Sequence, residues 1–176
     1  MLPAADVDPF VPSLRLRAEP LTAAAFALYG SVVEAPVTRG AAINGGSSER
    51  FELVDDLRLN TDGGRPTLAL FRARPHAFPR RLLAMERHAL GSQTFVPLGE
   101  HRFVVVVAPA GAPPGAAALR AFLTDARQGV VLAPGTWHHP LLALEGGDFV
   151  VVERAAASVD CDVATLATPV EVVLAD

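Results

Sequence analysis

Two short stretches of this chain carry side chains able to do chemistry. One runs Glu86-Arg87-His88-Ala89-Leu90-Gly91-Ser92-Gln93. The other is Gly129 to Pro140, which holds Pro134-Gly135, the single tryptophan Trp137 and the adjacent His138 and His139. Imidazole exchanges protons near neutrality, a neighbouring carboxylate can orient it, and an amide adds a neutral hydrogen-bonding group. A short apolar run, a tight turn and then imidazoles on the next strand is a way for a β-barrel to present polar groups at its mouth. These two clusters, on an otherwise apolar chain, predict a site for a small molecule.

The elements that must position them read as strands. If Leu82–Leu90 is a strand, alternation puts Ala84, Glu86 and His88 on one face and Met85, Arg87 and Ala89 on the other. Gln93, beyond the Gly91 turn, can fold back to the same pocket. Thr67–Ala73, Gln93–Pro97, Arg102–Ala108, Leu119–Thr124, Val130–Ala133, Leu141–Leu144 and Asp148–Arg154 are also strand-like, each short and bounded by Gly or Pro. Leu119–Thr124 could instead be a helical turn. Phe103 to Val107 has no polar face and should be buried on both sides. Before them, Leu21–Gly30 reads as a short helix, with Thr22 as N-cap and Gly30 as terminator, followed by a strand over Ser31–Glu34. Asn44-Gly45-Gly46 signals a turn, with Glu49 to Phe51 extended after it. Residues 1–13 read as a loose N-terminal extension and 14–176 as one domain.

Composition narrows the class. The chain has 176 residues, 51% of them hydrophobic, with a net charge of −4. Its isoelectric point near 5.7 argues against a nucleic-acid partner, whose footprint is a basic stripe. No apolar run approaches the roughly 18 residues of a membrane span, and no export signal is visible at the N-terminus. The lone Cys161 cannot form an internal disulfide. The cytoplasm is the expected compartment.

The spacing of the first cluster resembles the first cupin motif, His-x-His followed four or five residues later by Glu, with Glu86, His88 and Gln93 at those positions. Gly129, Pro134, Gly135 and His138 resemble the second, which runs Gly, five residues, Pro-x-Gly, two residues, His; here there is one residue fewer. The resemblance implies an all-β, cupin-like double-stranded β-helix or jelly-roll barrel with a short N-terminal helix. In metal cupins these positions converge on one divalent ion, which makes His88, Glu86, Gln93 and His138 the candidate metal ligands. Such a set suits a borderline ion such as nickel, manganese or zinc.

A closer likeness covers Leu14 to Leu166. Met85 to Pro97, Phe103 to Val107, Leu119 to Phe122, Gly129-Val130, Trp137-His138-His139-Pro140 and Asp160-Cys161-Asp162 come in the order seen in the ureidoglycolate lyase family, as do Leu21 to Gly30 and Ser31 to Glu34. The chain resembles that family, which implies a homodimer that splits (S)-ureidoglycolate into glyoxylate and urea in allantoin degradation, with nickel as the implied metal. On this resemblance His88, His138 and Glu86 are the candidate catalytic residues. Arg72, Gln93, Asn44 and Trp137 are the candidate substrate contacts: Arg72 for the carboxylate, which guanidinium binds through two parallel bonds, with a structural ion pair as its equal alternative, Gln93 for ureido or carboxylate oxygens, and Asn44 as part of an Ile-Asn-x-Gly match. Trp137 also reads as a barrel-end or dimer-interface plug. One departure is Glu52-Leu53 after Arg50-Phe51, where the family commonly carries His-Asp. His76, His101, Arg74 and Arg87 read as surface residues and Cys161 as buried filler. The competing reading is a non-catalytic, or differently specific, cupin that binds a small carboxylic acid.

Overall fold

A computed structural model describes residues 12–175. The N-terminal extension expected over residues 1–13 therefore lies, for 1–11, outside the described residues. In chain order the elements are β1 (Leu14–Pro20), α1 (Ala23–Phe26), β2 (Gly30–Val33), β3 (Ala41–Ile43), β4 (Ser48–Arg50), β5 (Arg65–Ala73), β6 (Arg80–Arg87) and β7 (Gln93–Pro97). They continue with β8 (Phe103–Ala108), β9 (Arg120–Leu123), β10 (Gly129–Leu132), β11 (Trp137–His138), β12 (Leu142–Ala143), β13 (Gly147–Ala155) and β14 (Asp162–Val173). The fold is the all-β, cupin-like architecture expected. No helix among the described residues is long and apolar enough to cross a membrane.

Seven strands form one sheet in the order β11-β6-β14-β1-β9-β8-β12, and β11 also pairs with β8. That extra pairing closes β11, β6, β14, β1, β9 and β8 into a barrel without free edges. A second sheet, β2-β10-β7-β13-β5, packs on its outside. Alternation along β8 builds both cores at once. Val104, Val106 and Ala108 join Met85, Ala121, Trp137 and Val170 in a cluster drawn from the barrel strands. Phe103, Val105 and Val107 join Phe122 and, from the second sheet, Phe95, Val130, Phe149 and Val151. All of β8 is buried, as its apolar run predicted.

Two barrel strands were not legible. Leu14–Pro20 and Asp162–Val173 pair in parallel and complete the barrel. β14 conceals its period because its register against β6 shifts between Thr165 and Val170, so apolar positions fall out of strict alternation. The short helix is also a correction. Thr22 does cap it, its hydroxyl accepting from the Ala25 N–H at 3.2 Å, but the helix stops after one turn at Phe26. Gly30 is not its terminator. It opens β2 at φ +150°, where a Cβ would meet the Val131 carbonyl oxygen at 1.8 Å.

Gly30→Ala should therefore break the β2–β10 pairing. We expect a loss of about 2 kcal/mol or more, read as a lower urea midpoint at unchanged slope; an unaltered midpoint would show that the close approach is not required.

Candidate active site

Residues adjacent on a strand point to opposite faces, and β11 uses this to separate two tasks. Trp137 turns into the barrel, 2% exposed, with its indole N–H donating to the Gly111 carbonyl at 3.2 Å and the Arg87 guanidinium 4.7 Å from its ring centre. His138 turns the other way, into the layer between barrel and second sheet, and is 1% exposed. On the neighbouring β6 its register partner is Glu86, with Oε1 3.8 Å from His138 Nε2. The polar groups thus lie between the sheets rather than inside the closed barrel.

His88 arrives by a different route from the one its spacing suggested. β6 ends at Arg87, so strand alternation does not carry His88 onto the face of Glu86. A turn does. The Asp160 carboxylate accepts from the backbone N–H groups of Ala89, Leu90 and Gly91 at 2.8, 2.9 and 3.2 Å, while the Asp160 carbonyl accepts from His88 Nδ1. The His88 and His138 rings stand 5.2 Å apart, and one ligand atom from each of Glu86, His88 and His138 lies within 4.8 Å of the others.

Backbone carbonyls set the chemistry of both imidazoles. His138 Nδ1 donates to the Thr136 carbonyl at 3.0 Å, as His88 Nδ1 does to Asp160. A carbonyl only accepts, so in a neutral ring the proton sits on Nδ1 and Nε2 keeps its lone pair. Both Nε2 atoms are buried without a hydrogen-bond partner in the protein. Burial pushes the His138 pKa down to about 3, so the ring is neutral over the working range. It pushes the Glu86 carboxyl above its usual range, with the charge of His88 opposing the shift. Two unshared lone pairs facing a carboxylate in a dry site are costly unless a cation or a proton satisfies them. Two nitrogens and an oxygen, each imidazole held through its other nitrogen by a carbonyl, fit a borderline divalent ion.

The facing sheet adds the amide. Gln93 on β7 is buried, and its Nε2 donates to Oε2 of Glu153 on β13 at 2.9 Å. Its Oε1 has no partner. A cavity of about 370 Å³ is lined by Glu86, Gln93, Phe71, Phe95, His76, Arg72 and Arg74 among others. A second, of about 250 Å³, includes His88, Ser92, Glu153, Asp160 and Cys161 in its wall. A wider depression of about 720 Å³ around His101, Glu145 and Asp148 holds none of the three convergent groups.

Of the other expected contacts only Arg72 lines the 370 Å³ cavity, and its Nε and Nη2 already donate in parallel to Asp148 at 2.8 and 3.0 Å. Asn44 is an exposed residue at φ +52° in the turn of the β3–β4 hairpin and is not in the lining of that cavity. Trp137 is not a cavity wall, because its position on β11 sends it into the barrel core, behind His138. Glu52, where the family commonly has His, pairs with Arg50 at 2.8 Å on the exposed surface.

Four residues near the site were missed or misread. His76 is half-buried in the cavity wall, its pKa lowered by burial and by Arg80, rather than on the surface. Arg74 is exposed, as expected, but its place in the lining of the same cavity was missed. Cys161 is only half-buried; its Sγ lies 3.9 Å from Glu86 Oε2, and burial, then Glu86, raises its pKa. Glu153 had a legible signal: alternation along Phe149, Val151 and Glu153 puts a carboxylate on the buried face of an apolar strand, the same sign that marks Glu86.

Comparison with known proteins places the chain in a family. A family model described as ureidoglycolate lyase matches residues 13–173. The ureidoglycolate lyase of Burkholderia cepacia is 48% identical over 150 residues, 84% of each chain. That of Azotobacter vinelandii is 41% identical over 84% of this chain and 89% of its own, and that of Pseudomonas aeruginosa UCBPP-PA14 is 41% identical over 84% and 88%.

The buried imidazoles make stability depend on pH. An unfolded histidine titrates near 6.5, whereas His138 is held at about 3 and His139, also by burial, at about 4. Between those limits the unfolded chain binds protons that the folded chain refuses. Their contribution is complete above about pH 6.5 and is lost as pH falls, at up to about 1.4 kcal/mol per pH unit per histidine. Glu86 works in the opposite sense, its burial penalty growing as pH rises past 4.5. Denaturant titrations of metal-free protein should show stability falling from pH 7 to 5, with the slope reduced in His138→Gln; a flat profile would contradict the burial argument.

Proposed function

Because the chain belongs to the ureidoglycolate lyase family and is an enzyme of the lyase class, we propose that the cavity between its two sheets splits (S)-ureidoglycolate into glyoxylate and urea. The observation that carries this reading is the convergence of two buried, partnerless Nε2 atoms and the Glu86 carboxylate beside the 370 Å³ cavity.

Ureidoglycolate is a hemiaminal. Removing its hydroxyl proton lets the oxygen lone pair form the aldehyde while the carbon–nitrogen bond breaks, and the departing ureido nitrogen takes up one proton to become urea. The proton lost and the proton gained balance, so one group can shuttle both. His138, at about 3, is a weak acceptor suited to orienting or ligating. His88, less buried and lining the second cavity, is our candidate to take the hydroxyl proton on Nε2 and return it to nitrogen, with Glu86 beside it. Positioned acid–base catalysis of this kind is worth about 10²–10⁴-fold. Arg74 and Arg72 line the 370 Å³ cavity and are our candidates for the substrate carboxylate, with the Nε–Nη2 edge of Arg72 already held by Asp148.

Glu86, His88 and His138 would hold a divalent ion, nickel being the one the family resemblance implies, with Gln93 as a neutral fourth candidate. When bound, the ion would supply Lewis-acid polarisation of substrate oxygens. The remaining expectations are a cytoplasmic homodimer, in which residues 14–176 act as one unit.

Purified protein should release glyoxylate from (S)-ureidoglycolate well above the spontaneous rate, and His88→Ala should lower kcat/KM by about 10²-fold or more, with His138→Ala also impaired. Activity equal to the spontaneous rate would leave the chain a binder of small acids. Elemental analysis with activity before and after chelation checks the ion: a metal-free, fully active enzyme would assign the three groups to proton transfer alone.

A further inference from the structure

Gln93 was expected to bond oxygens of the substrate, yet its amide is turned the other way. Its nitrogen faces Glu153, whose Oε2 accepts at 2.9 Å, and its Oε1 is the atom left buried and unpaired. A carboxylate is acceptor-only when ionised, so this contact decides which end of the amide points where. Glu86 and Gln93 line the same cavity. Its other lining is complementary: Phe71 and Phe95, ring centres 6.2 Å apart, provide apolar walls, while Arg72, Arg74 and His76 gather cationic and donor groups.

We propose that Glu153 is a positioning residue that locks the Gln93 carbonyl toward the cavity, making Gln93 a receptor for N–H groups and so fixing the ureido end of the substrate against it. The inference rests on the lyase reading above. Ureidoglycolate has two unlike ends. Its ureido group is planar and carries N–H donors, matching an acceptor between aromatic walls; its carboxylate has only acceptors and is turned toward the arginines. Were the amide free to flip, its NH₂ group could bond carboxylate oxygens equally well, and the substrate could enter reversed.

The test uses the enzyme as purified and its two products as probes, urea at millimolar concentrations and glyoxylate. In Glu153→Leu the amide loses its anchor. Inhibition by urea should weaken about tenfold and kcat/KM for ureidoglycolate should fall by a similar factor, with glyoxylate inhibition little changed. Glu153→Gln, which keeps an acceptor, should lose less. Gln93→Met, which removes the carbonyl while leaving Glu153 in place, should reproduce the selective loss for urea and covers the case in which Glu153→Leu does not fold. An unchanged urea inhibition constant in either folded variant overturns the proposal. So does a loss of bound metal by elemental analysis with urea inhibition intact, because Gln93 would then serve the ion. A wild-type enzyme without activity above the spontaneous rate is a separate result, and it removes the lyase reading itself.

Discussion

Two histidines aim their Nε2 lone pairs into one dry space because each spends its Nδ1 proton on a backbone carbonyl, Thr136 for His138 and Asp160 for His88. That constraint is cheap and rigid. A carbonyl cannot donate, so the tautomer is set without any charged partner, and burial keeps His138 from protonating. The site is thereby ready to receive a cation or a proton at once. Replacing those carbonyls by flexible side chains would leave the same residues with no defined chemistry.

Rigidity comes from the division of labour along β11. Trp137 fills the barrel under the Arg87 guanidinium, while His138 occupies the layer outside it. The barrel is therefore a packed support and not a binding chamber. Its closure through the β11–β8 pairing fixes His138 against Glu86 from both sides of the strand. Burial of Phe103, Phe122 and Phe149 beside that layer holds the second sheet, and so Gln93 and Glu153, at a fixed distance from the triad.

The cavity is polarised by this construction. Glu86 and Gln93 line it from facing sheets, and β5 and the segment after it contribute Arg72, Arg74 and His76. On the reading proposed above, a small molecule with a donor end and an anionic end takes one orientation there. Electrostatic fit of this kind directs binding as much as it strengthens it.

Much of this was written in the residue order. The apolar runs with period two, the Pro134-Gly135 turn and the isolated carboxylate and imidazoles on apolar strands declare the β architecture and name Glu86, Gln93 and His138. Glu153 carried the same mark on β13. What the chain order could not declare depends on partners distant in sequence. β1 and β14 became barrel strands only through mutual parallel pairing, with a register shift that hides the period of β14. His88 reached Glu86 through a turn tied down by Asp160, 72 residues away, and not through alternation. Trp137, Arg72 and Asn44 were plausible by type, but their directions depend on which face of a strand meets the core, which guanidinium finds Asp148 and where a hairpin ends. Alternation assigns a residue to a face; only the assembled sheets decide what that face meets.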